Sequence, residues 1–435
     1  MFLSQFIFFV SGYAIHVAAA RNVSPAEYGI FGVVMSVFSI TYIFLSTGLP
    51  DSISRLVSKG NDPKIVYNLA LKYQLTFSLI LFFILYSFAP LLSQFLNDSN
   101  LEYYIKLVSF LIPIRAIFHI NRGFLNGLSK FYHSSFSSIT DSLSKLVFTL
   151  LLLYLGYGIS SLFLGYILAA ILALLFTIVV MKSIDLPEGK VPSRKELVKF
   201  SIPIIIFMIS FTVIEALDII FVKSILENPS EVGYYTSVKA LSSPILGLGL
   251  AISYTSLPTI SSLKKENNTN AIQEFIGFTN NILFIIITPI LICIYFASSN
   301  IISIFFPEDY VKASDSLIIL SFSTTFLSFL ILQASLINGL GYSRIPMIVA
   351  LLILPLHIFL TPYFITHYGL VGAPVSSLIL SLLGNFILLF FILKICKKII
   401  FRNNLSSVFL FNITFAAFLY FISESSYLSN HMLIL

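Results

Sequence analysis

The feature that most constrains the fold is a series of apolar runs, each about 20 residues long, that fills nearly the whole chain. A run of this length crosses the hydrocarbon core of a bilayer as one α-helix, in which every backbone polar group is bonded within the segment. Only 10% of the residues are charged, whereas soluble domains carry about 25%. The sequence therefore predicts an all-α integral membrane protein.

Twelve runs are long enough to be transmembrane helices. They cover residues 2–20, 30–50, 70–95, 104–121, 136–156, 159–181, 200–222, 235–259, 275–297, 315–336, 346–366 and 370–393. A shorter apolar run at 406–422 and the apolar last residues extend the predicted total to 12 to 14 transmembrane helices.

The Lys and Arg residues are distributed unevenly among the loops. When the first three residues of a span are counted with the loop before it, 18 of the 25 lie after even-numbered spans and four lie after odd-numbered spans. Arg115, Lys145 and Lys239 fall deeper within spans. Positive residues concentrate in cytoplasmic loops. The chain is therefore predicted to be a multi-pass protein of the cell membrane with a cytoplasmic N-terminus.

Short motifs recur in the same order in the two halves of the chain. Residues 25–31 align with 229–235 at an offset of 204, and Asn126-Gly127 aligns with Asn338-Gly339 at an offset of 212. Six spans per half is an even number, so both copies insert in the same direction. We therefore predict two six-helix lobes related by a pseudo-two-fold axis along the membrane normal, with a cavity between them.

A polar segment near the middle of the chain indicates where the two lobes are joined. The predicted domains are an N-terminal six-helix lobe at 1–182, a cytoplasmic linker at 183–199, a C-terminal six-helix lobe at 200–395 and an extra hydrophobic segment at 396–435.

The sequence contains no motif that indicates catalysis. It has no phosphate-binding Gly-x-x-x-x-Gly-Lys-Ser/Thr loop, no His-Glu-x-x-His and no Gly-x-Ser-x-Gly, and Cys293 and Cys396 offer no metal-ligand spacing. The net charge of +6 comes from loop residues, which favours a role in topology over nucleic-acid binding. We expect a protein that is not an enzyme, needs no cofactor and binds no nucleic acid.

An ordered set of short motifs resembles the polysaccharide transporter family of the multidrug/oligosaccharidyl-lipid/polysaccharide flippase superfamily. The similar stretches are residues 20–31, Thr47-Gly48-Leu49-Pro50, Asp218, residues 231–235, Asn338-Gly339-Leu340-Gly341 and residues 368–373. The resemblance covers residues 1 to about 395. The first span begins almost at Met1, and Asn22-Val23 stands where the family usually has apolar residues and a Gly.

The resemblance implies a flippase that moves a lipid-linked oligosaccharide or polysaccharide precursor from the cytoplasmic to the outer leaflet by alternating access. The implied partners are a glycan linked to polyprenyl or dolichyl phosphate or pyrophosphate, together with membrane lipids. The protein is expected to be able to function as a monomer.

Cations at membrane depth are the candidate ligands for the phosphate of such a substrate. An ionisable residue inside a span costs about 2.5–3.5 kcal/mol to insert, so each indicates a function. Arg115, Arg21, Lys239 and Lys145 are the candidates. The alternative for Arg21 and Lys239 is a side chain that reaches the membrane interface as an anchor.

Acidic residues within spans suggest ion coupling or charge balance. Asp141 and Lys145 are four residues apart, so they share a helix face and can form a structural pair. Glu215 and Asp218 are three apart and could bind a proton or sodium ion, or hold a cationic side chain such as Arg115.

Two isolated histidines on apolar spans, His16 and His357, are interpreted as packing residues.

Two other functions remain open from the sequence. A cation-coupled multidrug antiporter of the same superfamily would have a cavity rich in acids and aromatics. An integral membrane glycan transferase or ligase would need an acidic or metal-binding motif in a large outer loop, and every predicted outer loop is short.

Overall fold

A computed structural model describes residues 2–184 and 202–397. Within these ranges the chain is almost entirely helical and contains no strand. The helices are α1 (Phe2–Asn22), α2 (Pro25–Ser46), α3 (Leu49–Ser58), α4 (Pro63–Phe95), α5 (Asn100–Ser109), α6 (Leu111–Gly127), α7 (Phe131–Tyr154), α8 (Ser160–Lys182), α9 (Ile202–Ile225), α10 (Pro229–Lys265), α11 (Thr269–Phe305), α12 (Ser314–Gly339), α13 (Arg344–Tyr368) and α14 (Gly372–Cys396).

Each of the twelve predicted spans corresponds to helical structure. By length and hydropathy, eleven segments of the described residues could cross a membrane, and the last of them, Arg344–Cys396, contains both α13 and α14. Two predicted spans are each divided into two helices, α2 with α3 and α5 with α6. The predicted all-α membrane fold is confirmed, whereas the predicted run at 406–422 lies outside the described residues.

The break between α2 and α3 lies at Gly48, inside the Thr-Gly-Leu-Pro motif. Gly48 has a φ of +83°, which favours a residue without a Cβ. Pro50 is in the first turn of α3, where the missing backbone N–H interrupts no helical hydrogen bond. The motif therefore ends one helix and begins another within a single apolar run.

The start of α2 is fixed by a capping box in the repeated motif. Ser24 accepts a hydrogen bond from the backbone N–H of Glu27, and the Glu27 carboxylate accepts one from the backbone N–H of Ser24 at 2.9 Å. Pro25 occupies the first turn. These residues satisfy donors that a helix N-terminus leaves unpaired, so the turn from α1 into α2 can be very short.

The chain forms two compact units, Met1–Thr236 and Ser237–Leu435, which divide within α10. Most of the predicted linker at 183–199 lies outside the described residues. The predicted domain boundaries therefore stay predictions.

Within the first unit, α2 packs closely against α9 and the first turns of α10. A Cβ added to Gly29 would lie 2.9 Å from the backbone N of Gly233. A Cβ added to Gly233 would overlap the carbonyl oxygen of Pro25. Small residues at such crossings let membrane helices approach closely. The two glycines of the 204-residue repeat are thus in direct contact.

The repeated Asn-Gly motif makes the same kind of helix contact in each unit. In the first, a Cβ added to Gly127 would lie 2.8 Å from Cβ of Val57, so α6 approaches α3 closely. In the second, a Cβ added to Gly339 would lie 2.8 Å from Cβ of Ile260, so α12 approaches α10. The sequence repeat therefore corresponds to a repeated packing contact.

Candidate functional site

A buried cluster of charged residues lies where α6 meets α7 in the first unit. The Arg115 guanidinium Nη1 is 2.8 Å from the Asp141 carboxylate Oδ1, and the Lys145 ammonium Nζ is 3.7 Å from Oδ2 of the same carboxylate. Asp141 and Lys145 are one turn apart on α7, so both present their side chains to the face that receives Arg115. One carboxylate is shared by two cations.

The three side chains are almost completely removed from solvent and lipid. Their exposed fractions are 5% for Arg115, 10% for Asp141 and 11% for Lys145. A buried ion pair is stable only when its geometry is good, because both partners have lost their hydration. The predicted Asp141–Lys145 pair is present, but the shorter contact of Asp141 is with Arg115.

Aromatic rings form much of the surroundings of the two cations. Lys145 Nζ lies 4.8 Å from the centre of the Tyr166 ring and 5.6 Å from that of Phe8, and the Arg115 guanidinium carbon lies 5.6 Å from that of Phe118. The face of an aromatic ring attracts a cation, and more strongly where water is excluded. The rings therefore offer both cations a favourable contact inside the first unit.

Two further residues of α6, His119 and Arg122, belong to the same region and were not among the predicted site residues. His119 is buried with its ring edge-on to Tyr42 at 5.1 Å, and the Arg122 guanidinium carbon is 5.7 Å from the centre of the Phe118 ring. Both follow Arg115 at helical spacing, at i+4 and i+7. The spacing of these three residues in the sequence could therefore have indicated a polar face on α6.

The second predicted acidic pair lies on α9. Asp218 is buried and Glu215 is half-buried, and both carboxylates lie near the buried phenol of Tyr235 on α10. The carboxylate that pairs with Arg115 is Asp141, so the alternative in which Glu215 or Asp218 holds Arg115 is not what the structure contains. These two residues are therefore a separate acidic group.

The remaining predicted cations have different surroundings. Arg21 is exposed in the last turn of α1, and Lys239 is half-buried in α10 within the second unit. Both positions are compatible with the anchoring alternative as well as with a ligand role.

The two histidines singled out from the sequence have hydrogen-bond partners. His16 Nδ1 lies 2.7 Å from the Tyr28 hydroxyl, and His357 Nδ1 lies 3.2 Å from the Thr361 hydroxyl. Both contacts agree with a packing role.

An additional ion pair joins α9 to the turn that follows α4. Lys223 Nζ donates to Asp98 Oδ2 at 2.7 Å, and their side chains are 9% and 13% exposed. The two residues are 125 positions apart, so no local pattern in the sequence predicts their contact.

The charges of the Arg115 cluster determine what it can bind. Two cations against one carboxylate leave a net charge of +1. No group of three or more His, Cys, Asp or Glu side chains suited to a metal ion occurs within the described residues. The cluster is therefore suited to an anion, and Arg offers the planar donor fork that matches a phosphate group.

Sequence comparison identifies relatives over most of the chain. A family described as polysaccharide biosynthesis protein matches residues 18–315. A membrane protein of Methanocaldococcus jannaschii, itself uncharacterised, is 26% identical over 411 residues, which span 89% of this chain and 95% of that protein.

Solved structures with the same fold are membrane transporters. An inward-facing multidrug resistance transporter of the MATE family has a TM-score of 0.75 at 14% identity, covering 90% of this chain and 95% of its own. The lipid II flippase MurJ in an inward closed conformation has a TM-score of 0.71 at 18% identity, covering 99% and 98%. At these identities the similarity establishes a shared fold, the two-lobe arrangement of twelve helices.

Proposed function

The chain belongs to the polysaccharide biosynthesis protein family, and from this membership we propose that it is a flippase for a lipid-linked glycan. It would carry an oligosaccharide or polysaccharide precursor on polyprenyl or dolichyl phosphate or pyrophosphate from the cytoplasmic to the outer leaflet of the cell membrane. The single observation that supports an anionic lipid-linked substrate, and not only membership in a transporter superfamily, is the buried excess of positive charge around Arg115.

The proposal assigns the headgroup phosphate to the Arg115 and Lys145 side chains. Arg115 offers five N–H donors and Lys145 offers three, whereas the two oxygens of Asp141 accept about four hydrogen bonds. The cluster therefore carries more donors and more positive charge than its own carboxylate can satisfy, which favours binding of an anion. Arg21 and Lys239 are proposed as further contacts of the headgroup outside this cluster.

Glu215 and Asp218 are proposed as the ion-coupling or charge-balancing pair. A carboxylate at membrane depth is costly and is often a site of proton or cation exchange. The membrane potential offers a driving force of its own, since moving one negative charge outward across an inside-negative membrane releases about 2.3 kcal/mol per 100 mV.

The direct test measures transbilayer movement in vesicles that contain the purified full-length protein. A lipid-linked oligosaccharide is placed in the bilayer, and the fraction protected from a membrane-impermeant glycosidase is followed with time. Protein-containing vesicles should lose protection in a single rapid phase, because substrate in the inner leaflet becomes accessible. Equal protection with and without the protein would reject the flippase function.

Arg115→Lys is the informative variant for the headgroup site. It keeps the positive charge that holds Asp141 but removes the planar fork of donors, so transport should fall while the protein stays folded. Lys106→Gln is the matched control, because Lys106 pairs with Glu102 in a partly exposed ion pair outside the cluster. Equal transport by both variants would remove Arg115 from the headgroup site.

A cation-coupled multidrug antiporter is the second candidate, favoured by the TM-score of 0.75 with the MATE transporter and by the Glu215–Asp218 pair. The net positive charge of the Arg115 cluster disfavours a cationic substrate in that region. Efflux of a cationic dye that is lost in Glu215→Gln, together with no movement of the lipid-linked glycan, would support this candidate.

A further inference from the structure

The Arg115 cluster already holds an anion that is part of the protein. The Asp141 carboxylate has two oxygens and one negative charge, and it bridges the same two cations that the proposed function assigns to the substrate phosphate. A phosphodiester also presents two oxygens that share one negative charge. Substrate and Asp141 are therefore expected to compete for the same donors.

The two contacts of Asp141 are unequal. Its contact with Arg115 is a close ion pair at 2.8 Å, whereas its contact with Lys145 is longer, at 3.7 Å. The Lys145 ammonium also lies over the ring faces of Tyr166 and Phe8. Lys145 is thus the cation that Asp141 holds less closely, and an entering phosphate can engage it first.

A second observation also indicates that the cluster is prepared for another ligand. The Nε2 atom of His119 is buried and has no hydrogen-bond partner within the described part of the chain. Leaving a buried polar atom unpaired costs free energy, and such atoms are uncommon in native structures. His119 lies one turn from Arg115 on α6 and can donate to an oxygen that enters the cluster.

We infer that Asp141 is an internal substitute for the substrate phosphate, which offsets one of the two positive charges of Arg115 and Lys145 in the empty carrier and is displaced when the headgroup binds. This inference rests on the proposed function. A carrier must bind its substrate and then release it, and an internal competitor prevents a phosphate from binding too tightly between two buried cations. Asp141 therefore promotes release as well as the stability of the empty state.

The first test compares Asp141→Asn with wild type in both binding and turnover. Farnesyl phosphate is the binding probe and farnesol, which has the same chain without the charge, is its control. Removing the competitor should lower the dissociation constant for farnesyl phosphate about tenfold or more, with no change for farnesol. In vesicles, the apparent KM for a lipid-linked oligosaccharide and the kcat should both fall, because release becomes slow.

Glu102→Gln is the matched control for loss of a carboxylate. Glu102 pairs with Lys106 at 2.6 Å in a partly exposed position outside the cluster, so its neutralisation should leave both the dissociation constant and kcat near wild-type values. If Asp141→Asn is folded and its affinity for farnesyl phosphate is unchanged or weaker, the inference is wrong. A merely structural role of Asp141 would lower kcat without lowering KM.

A second test uses the wild-type protein and does not depend on the folding of a variant. A hydrophobic carbodiimide modifies protonated carboxyl groups inside the membrane domain, and mass spectrometry identifies the modified residue. Asp141 should be unreactive while it is paired with Arg115, and it should become reactive when farnesyl phosphate displaces it and leaves a buried carboxyl group that takes up a proton. Unchanged labelling of Asp141 on binding would overturn the inference.

Different results would reject the proposed function and the displacement of Asp141. If wild type neither distinguishes farnesyl phosphate from farnesol nor moves the oligosaccharide lipid, the proposed function itself fails. If wild type does both, but Asp141→Asn binds no more tightly and Asp141 is not exposed to the carbodiimide, only the displacement of Asp141 is rejected.

Discussion

The Arg115–Asp141 ion pair should contribute measurably to the stability of the first unit, and its contribution can be estimated from the observed distances. With an effective dielectric constant of about 20, the Coulomb attraction is about 6 kcal/mol at 2.8 Å and about 4.5 kcal/mol at 3.7 Å. The lost hydration of the buried charges offsets much of this attraction. Removing one partner of a buried pair nevertheless costs about 3–5 kcal/mol, because the other charge is left unpaired.

Arg115→Met is therefore expected to cost about 3 kcal/mol, the lower end of that range, because Lys145 remains beside Asp141. Lys145→Met should cost less, since its contact with Asp141 is longer and Arg115 stays in place. The double variant Arg115→Met/Asp141→Asn removes both charges of the pair, so neither residue leaves an unpaired charge at the other. Its loss should be smaller than the sum of the single losses, with a coupling energy of about 1–3 kcal/mol.

The free energies can be measured by unfolding each variant with sodium dodecyl sulfate in mixed micelles. Cys293 is half-buried and Cys396 is buried, and neither forms a disulfide, so reaction with a thiol-specific dye reports unfolding without added probes. Additive single losses, or a larger loss for Lys145→Met than for Arg115→Met, would refute the assignment of Asp141 primarily to Arg115.

Two further stability predictions concern helix contacts elsewhere in the first unit. Gly233→Ala should strongly reduce the yield of folded protein, because the added Cβ would overlap the backbone oxygen of Pro25. The control Gly12→Ala on α1, with no neighbour within 4 Å, should be neutral or slightly stabilising. Equal yields of the two variants in detergent gel filtration would contradict the close crossing of the helices. Lys223→Met should lower the unfolding midpoint by leaving Asp98 unpaired in a largely buried position, and the additional substitution Asp98→Asn should recover much of the loss. Failure of that recovery would show that the pair contributes little.

Several features of the protein could be predicted from the sequence alone. The lengths of the apolar runs gave all twelve helical spans, because the thickness of a bilayer fixes how long each run must be. The i, i+4 spacing of Asp141 and Lys145 predicted their pairing, because neighbours on one turn of a helix require no tertiary information. The repeated glycines and the ordered motifs likewise indicated the family and two related halves.

The ion pairs between residues on different helices or turns were decided only by the tertiary structure. Arg115 lies on a different helix from Asp141, and Lys223 is 125 residues from Asp98, so helix packing alone brings these charges together. The sequence suggested Glu215 or Asp218 as a partner of Arg115 because both are acidic and within spans, but α7 and not α9 presents a carboxylate to it. Periodicity along a helix specifies which residues share a face, and only the packing of helices specifies what that face contacts.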